Sequence, residues 1–200
     1  MSFWDLSDGS TAQSTTEYEA PQGNSEPIPD NTDVMAYPDE ARWDDKDGAE
    51  FISLRWRVAK PEVFKNRVVF QKLWVLGNNP NQRDPDKRKK QGDNAKRMLG
   101  AIDANAGGEL MTINGRPSDE DLQRCLVNKM MVTKLKVWEM KSDTGETMSG
   151  NWICAVSPKS KGVDENVKPA TPKHQSNGGF GAGGSGIDDD EIPFAPVTLI

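Results

Sequence analysis

A mainly β domain, a five-stranded barrel with a helix between its third and fourth strands, is the fold this sequence predicts. Three observations predict it. Residues 50–60 alternate apolar and polar side chains with strict period two. Four further segments carry strand patterning between Pro, Gly and Asp turn signals. The longest helical pattern, over 93–105, falls after three of these strands and before two.

Taken in order, residues 1–29 are rich in Ser, Thr, Gln, Pro and Glu without apolar periodicity, and read as a disordered acidic arm. Phe3, Trp4 and Leu6 form an apolar cluster at its start, either a short binding motif or an end that packs on the domain. The domain occupies about 30–160. Residues 32–43 form a first strand, interrupted at Pro38 as an edge or a bulge allows. Asp44-Asp45-Lys46-Asp47-Gly48 is a hairpin turn, signalled by Asp-Gly. In 50–60, Ile52, Leu54, Trp56 and Val58 alternate with Ser53, Arg55, Arg57 and Ala59, which assigns Trp56 to the core.

A third strand over 66–76 places Val69, Leu73 and Val75 on one face and Phe70, Lys72 and Trp74 on the other. Residues 77–92 read as a long polar connection holding Lys87-Arg88-Lys89-Lys90. Asp93 caps a helix that gathers Ala95, Met98, Leu99 and Ile102 on one side and stops at Gly107-Gly108. Ser118-Asp119-Glu120-Asp121 opens a short helical turn by capping-box spacing. A long strand over 126–140, a turn over 142–150 and a last strand over 151–157 complete the domain. Three strands, a helical insertion and two strands is the order of an OB-fold barrel. From Gly162 a flexible Gly- and Pro-rich linker leads, over 161–200, to an acidic tail.

The formal net charge of −6 conceals a contrast. Residues 1–30 carry six acids and no Lys or Arg, and 161–200 carry three Lys against six acids, whereas 51–160 carries twenty basic against twelve acidic residues, or +8. A basic body between acidic ends suits a domain that meets a polyanion while its tails meet other proteins. Other chemistries find little support. The two cysteines, Cys125 and Cys154, are distant in sequence, and the one histidine, His174, lies in the linker, so neither a zinc site nor a Cys–His or Ser–His catalytic pair is expected. Phosphate-binding glycine motifs are missing. No run of membrane-spanning length or signal-peptide pattern is present, so a cytoplasmic location with reduced thiols is expected.

The faces opposite the core carry the chemistry. Arg55 and Arg57 share one strand face with Ser53; Lys72 shares another with Phe70 and Trp74; Lys134, Lys136 and Trp138 share a third. Cations interleaved with aromatics suit single-stranded nucleic acid, because the cations neutralise phosphates and exposed bases stack on the rings at about 1–3 kcal/mol each. Lys65, Arg67 and the run Lys87, Arg88, Lys89 and Lys90 join the candidate DNA contacts. The competing reading of each is structural: a strand Trp is usually core, and strand cations usually form the wet side of a sheet.

Two resemblances sharpen this reading. Phe51-Ile52-Ser53-Leu54-Arg55-Trp56-Arg57-Val58, then Phe64-Lys65-Asn66-Arg67-Val68-Val69-Phe70-Gln71-Lys72-Leu73-Trp74, the 95–106 helix and Asn151-Trp152-Ile153 resemble a family of phage-encoded OB-fold single-stranded DNA-binding proteins over about 28–158. The acidic run Asp188, Asp189, Asp190, Glu191 leading into Ile192, Pro193 and Phe194 resembles the tip of bacterial single-stranded DNA-binding proteins, which recruits replication and repair enzymes. In that family the Phe is terminal, whereas six residues follow it here.

The resemblances imply a sequence-independent binder that coats single strands in phage DNA replication, recombination and repair. They imply no cofactor and no catalytic residues, and a tail that recruits phage or host replication and recombination proteins. The acidic tail is also expected to compete for the basic groove. Self-association is left open. The rivals are a strand-annealing recombination mediator, a protein-interaction adaptor, and a metal-dependent nuclease using Asp44, Asp45 and Asp47.

Overall fold

In a computed structural model, which describes residues 26–141 and 147–167, the first hairpin turns at Asp47 and Gly48. Both have positive φ, 53° and 76°, the left-handed pair that makes a tight two-residue hairpin. β1 (Thr32–Lys46) therefore folds straight back along β2 (Ala49–Lys60). The Asp-Gly signal marks the turn, but Asp44, Asp45 and Lys46 are the last residues of β1 and lie outside it.

The expected alternation in β2 is present: Ile52, Leu54, Trp56 and Val58 are buried, and Ser53, Arg55 and Arg57 are half-exposed. Trp56 lies in the core, with its indole N–H donating to Gln71 Oε1 at 3.0 Å, so the buried polar atom is satisfied. β3 (Val68–Leu73) is shorter than the expected 66–76 and stops before Trp74.

The largest departure lies at 77–92. It is not one long loop, because α1 (Pro85–Ala106) begins eight residues earlier than the helix expected at 93. Asp84, not Asp93, is its N-cap and accepts from the backbone N–H of Asp86 (2.9 Å) and Lys87 (3.3 Å), with Pro85 pre-set for the first turn. Lys87, Arg88, Lys89 and Lys90 are thus helical. The predicted stripe packs as expected, with Ala95 and Ile102 buried and Met98 and Leu99 partly so. Gly107, at φ 126°, ends the helix. α2 (Asp119–Leu126) follows, opened by the reciprocal Ser118–Asp121 capping box. α1 and α2, the second being the short helical turn expected at Ser118, both follow β3 and precede β4 (Met131–Lys141); β5 (Thr147–Ser157) ends the sheet.

The five strands form one open antiparallel sheet in the order β3-β2-β1-β4-β5. One face, with Val34, Leu54, Trp56, Leu73 and Leu135, packs on Ala95, Ile102, Leu122 and Leu126 of the helices to form the main core. Each such fully buried side chain contributes roughly 1.5–3 kcal/mol. At β2 the opposite face holds its own small cluster, Ala49, Phe51 and Trp74, with no helix residue in it, whereas at β5 α1 lies beside Trp152, Cys154 and Val156.

The edges of the sheet, β3 and β5, do not pair with each other, and residues 26–28 run between them. Asn151 of β5 holds Ile28 from both sides, accepting from its N–H at 2.7 Å and donating to its carbonyl at 2.8 Å. On the other side Arg67 donates to the carbonyl of Glu26. These three residues, with Val68, Val69, Ser149 and Gly150, line a cleft of about 250 Å³. Ile28 is fully buried and Val167 packs on the core, so the packed body reaches past 30–160 at both ends. No helix among the described residues is long and apolar enough to cross a membrane.

Candidate nucleic-acid interface

Strand register sorts the helix-free face into rows. Tyr37, Arg57 and Val68 form one row across β1, β2 and β3; Glu40, Arg55 and Phe70 form the next; Arg42, Ser53 and Lys72 form a third. Phe70 is 66% exposed, an unusual state for a phenylalanine on a strand. It stands directly across from Arg55 and two positions from Lys72. On the far side of β1, β4 places Lys134 and Lys136 half-exposed on the same alternation.

Several expected contacts have other tasks. Trp74 lies past the end of β3, only 1% exposed, with its ring 4.6 Å from that of Phe51. With Ala49 the two form a small second core on this face, so Trp74 is packing and not an open stacking platform. The Lys72 ammonium sits 4.8 Å above the Phe51 ring. Burial, reinforced by the charge of Lys46, pushes it below the ordinary lysine pKa against the opposing pull of Asp44. Trp138 is half-buried, its indole laid on Gly150 of β5.

The cations are also more occupied than a count suggests. Arg55 and Arg57 both bond Asp39, at 2.7 Å each, and Arg55 reaches Glu40 at 3.1 Å. Burial pushes the Asp39 carboxyl up, but the hydrogen bonds and charges of the two arginines outweigh it and hold the group below the usual carboxylate range. Lys65 pairs with Glu62 at 2.9 Å, Arg67 lies 5.4 Å over the Phe64 ring, and Lys134 approaches Asp33 at 4.0 Å.

Lys87, Arg88, Lys89 and Lys90 belong to the first turns of α1, and Arg88 and Lys89 face Val75, Leu76 and Gly77 across a cleft. There Gly92 packs against Gly77, just beyond β3; a Cβ on Gly92 would stand 2.8 Å from the Gly77 Cα. Arg88 is tied to the carbonyls of Gln82 and Arg83. Arg88, Lys89 and Lys96 line a shallow cleft of about 350 Å³ there.

Sequence reasoning missed what β1 contributes. Asp33, Asp39, Glu40 and Asp44 lie on the same face as the cations, as does Tyr37, a further half-exposed aromatic. Residues 31–50 carry seven acids against two bases, and excluding them produced the +8 of 51–160. The signal was available: with Val34 and Ala36 turned to the core, period two assigns Asp33 and Tyr37 to this face.

Among the described residues no group of three or more His, Cys, Asp or Glu is gathered to hold a metal, and Asp44, Asp45 and Asp47 form no such site. Both cysteines are free thiols, and burial raises the pKa of each. Asp188, Asp189, Asp190, Glu191, Ile192, Pro193 and Phe194 lie outside the described residues, as do Phe3, Trp4, Leu6 and His174. Compared with known proteins, the chain matches no family model and no curated protein.

Proposed function

We propose that this protein binds single-stranded DNA without sequence preference, through the helix-free face of an OB-type barrel, and acts by coating single strands in phage replication and recombination. The observation that carries the reading is Phe70. An exposed ring projects from the middle of a strand, with Arg55 across from it and Lys72 beside it. A base face stacks on such a ring whatever its sequence, and neighbouring cations meet the backbone.

The barrel reading is supported by the sheet. β1 pairs with β2 on one side and β4 on the other, and the two edges are bridged by residues 26–28. Bringing β3 against β5 completes the partly open barrel that the OB-fold uses for oligonucleotides. The tail from Asp188 to Phe194 is proposed to recruit replication and recombination proteins, and the site as a whole uses no cofactor and performs no covalent chemistry.

A second reading, a protein-interaction adaptor, has one observation in its favour: Val63, Val68 and Phe70 are exposed together at and before β3. Binding of oligo-dT, duplex DNA and RNA, followed by fluorescence anisotropy at several salt concentrations, decides between them. Preference for oligo-dT with a log–log salt slope in multiples of about −0.7 supports the DNA reading. No binding to any nucleic acid overturns it and favours the adaptor. Annealing of complementary oligonucleotides separates a coating protein from an annealing mediator.

A further inference from the structure

The pairing of β1 with β2 shifts register twice, skipping Ala59 of β2 between Met35 and Ala36 and skipping Asp39 of β1 between Pro38 and Glu40. Pro38 stands opposite Trp56 and Glu40 opposite Arg55, so Asp39 has no partner across the ladder. An extra residue of this kind bends the strand and re-aims its neighbours. Here Pro38 and Ala41 are the flanking positions, and the two residues between them, Asp39 and Glu40, both turn toward the helix-free face. Period-two alternation would have sent one of them inward. Two carboxylates thereby meet two guanidinium groups of the adjoining strand.

The contacts are close and directional. Asp39 Oδ1 accepts from Arg55 Nε at 2.7 Å, and Asp39 Oδ2 accepts from Arg57 Nε at 2.9 Å while Arg57 Nη2 stands 2.7 Å away. Glu40 Oε2 takes Arg55 Nη1 at 3.1 Å, and its other oxygen takes Arg42 Nη1 at 3.2 Å. The Asp39 side chain is only 12% exposed, while Arg55 and Arg57 stay 39% and 34% exposed, so the carboxylate end of these charge-assisted bonds is sheltered and the guanidinium ends are open to a ligand. Phe70, across from Arg55, stays open.

We propose that Asp39 is a specificity-determining residue of this face: it engages Arg55 and Arg57 so that a ligand offering only phosphate or sulfate charge binds poorly, while one offering exposed bases binds well. The inference rests on the single-strand reading given above. A phosphate approaching Arg55 or Arg57 competes with a carboxylate already held against them by the fold. Duplex DNA keeps its base faces stacked inside the helix, and heparin has no bases, so both depend on charge that the face withholds. A single strand brings bases to Phe70 and needs less from the arginines. The ion pairs also fix the two guanidinium groups on the strand next to that of Phe70.

The test uses the full chain, as wild type, Asp39→Asn and Glu40→Gln, with labelled oligo-dT, a duplex of equal length and heparin, each titrated across a salt series. Asp39→Asn is expected to tighten duplex and heparin binding by about three- to tenfold and to steepen the DNA salt slopes by about 0.7–0.9 for each arginine released, with a smaller gain for oligo-dT. Glu40→Gln, which loosens Arg55 and Arg42 at a more exposed position and leaves Arg57 held by Asp39, is expected to act in the same direction with smaller size, and it carries the test if Asp39→Asn does not fold.

Unchanged duplex and heparin binding in a variant that melts like the wild type overturns the inference, as does an equal gain for all three ligands. Wild type that fails to bind oligo-dT refutes the single-strand reading instead, and the heparin series then still decides what Asp39 does to the two arginines.

Discussion

The indole of Trp138 rests on Gly150, its direct partner across β4 and β5, so closely that a Cβ on Gly150 would fall 2.6 Å from the ring. A glycine opposite the tryptophan gives the large ring a flat place to lie, with one surface covered and the other side half-open. Gly150→Ala is expected to lift the ring and cost about 1–3 kcal/mol, the usual range for forcing extra volume into a packed site. Thermal melting checks this; an unchanged melting temperature would show that the ring moves away freely.

Phe70 and Trp74 are two aromatics that strand alternation assigns to one face, and they separate binding from packing. Phe70→Ala removes an exposed ring and is expected to weaken oligo-dT binding by about 1–3 kcal/mol, the worth of one stacked base, while leaving stability nearly unchanged. Trp74→Ala opens the cluster with Phe51 and is expected to cost about 3–5 kcal/mol of stability. Paired anisotropy titrations and melts measure both. A Phe70→Ala protein that binds like the wild type would remove the main support for a stacking surface.

Asp39 ties stability to pH. Its folded pKa lies below the ordinary value of 3.8, so the folded protein holds the ionised form more strongly than the unfolded chain does. That contribution is present in full above the unfolded pKa and is lost as pH falls through about 4 and below, when the carboxylate takes a proton and releases Arg55 and Arg57. Asp39→Asn is accordingly expected to flatten the fall in melting temperature between about pH 5 and pH 3, seen by circular dichroism. An identical acid profile in the variant would mean that other carboxylates carry the effect.

Asp103 holds the end of α1 to the chain that follows. Fully buried, it accepts the N–H of Leu110 at 2.9 Å and of Met111 at 3.0 Å, while its own carbonyl accepts from Gly107 and Gly108. Asp103→Ala strands two donors and is expected to cost about 1–3 kcal/mol for each that stays buried and unpaired. Urea unfolding measures the loss; a change below about 0.5 kcal/mol would mean that water replaces the carboxylate.

What the sequence made legible follows from how local each signal is. β2, the Asp47-Gly48 turn and the Ser118 cap are written in neighbouring residues, and each stands where those residues put it. The start of α1 was hidden because Lys87 to Lys90 mask any apolar stripe, although Asp84-Pro85 carried the cap signal. Trp74 stands on the face that alternation assigned to it, but beyond Leu73, where the strand ends, its ring packs on Phe51, a contact that period two does not specify. The pairing of Arg55 and Arg57 was invisible for a deeper reason. It depends on a bulge that breaks the period of β1, and on a register between two strands that no single strand specifies.

The seam closed by Glu26, Pro27 and Ile28 has a mechanical consequence. Tension applied to the chain from its N-terminal side loads the Arg67 and Asn151 bonds to residues 26–28 before it reaches any hydrogen bond of β1. These few bonds would break in succession instead of shearing together, so a pull from that end opens the gap between β3 and β5 while the hairpin beneath stays whole.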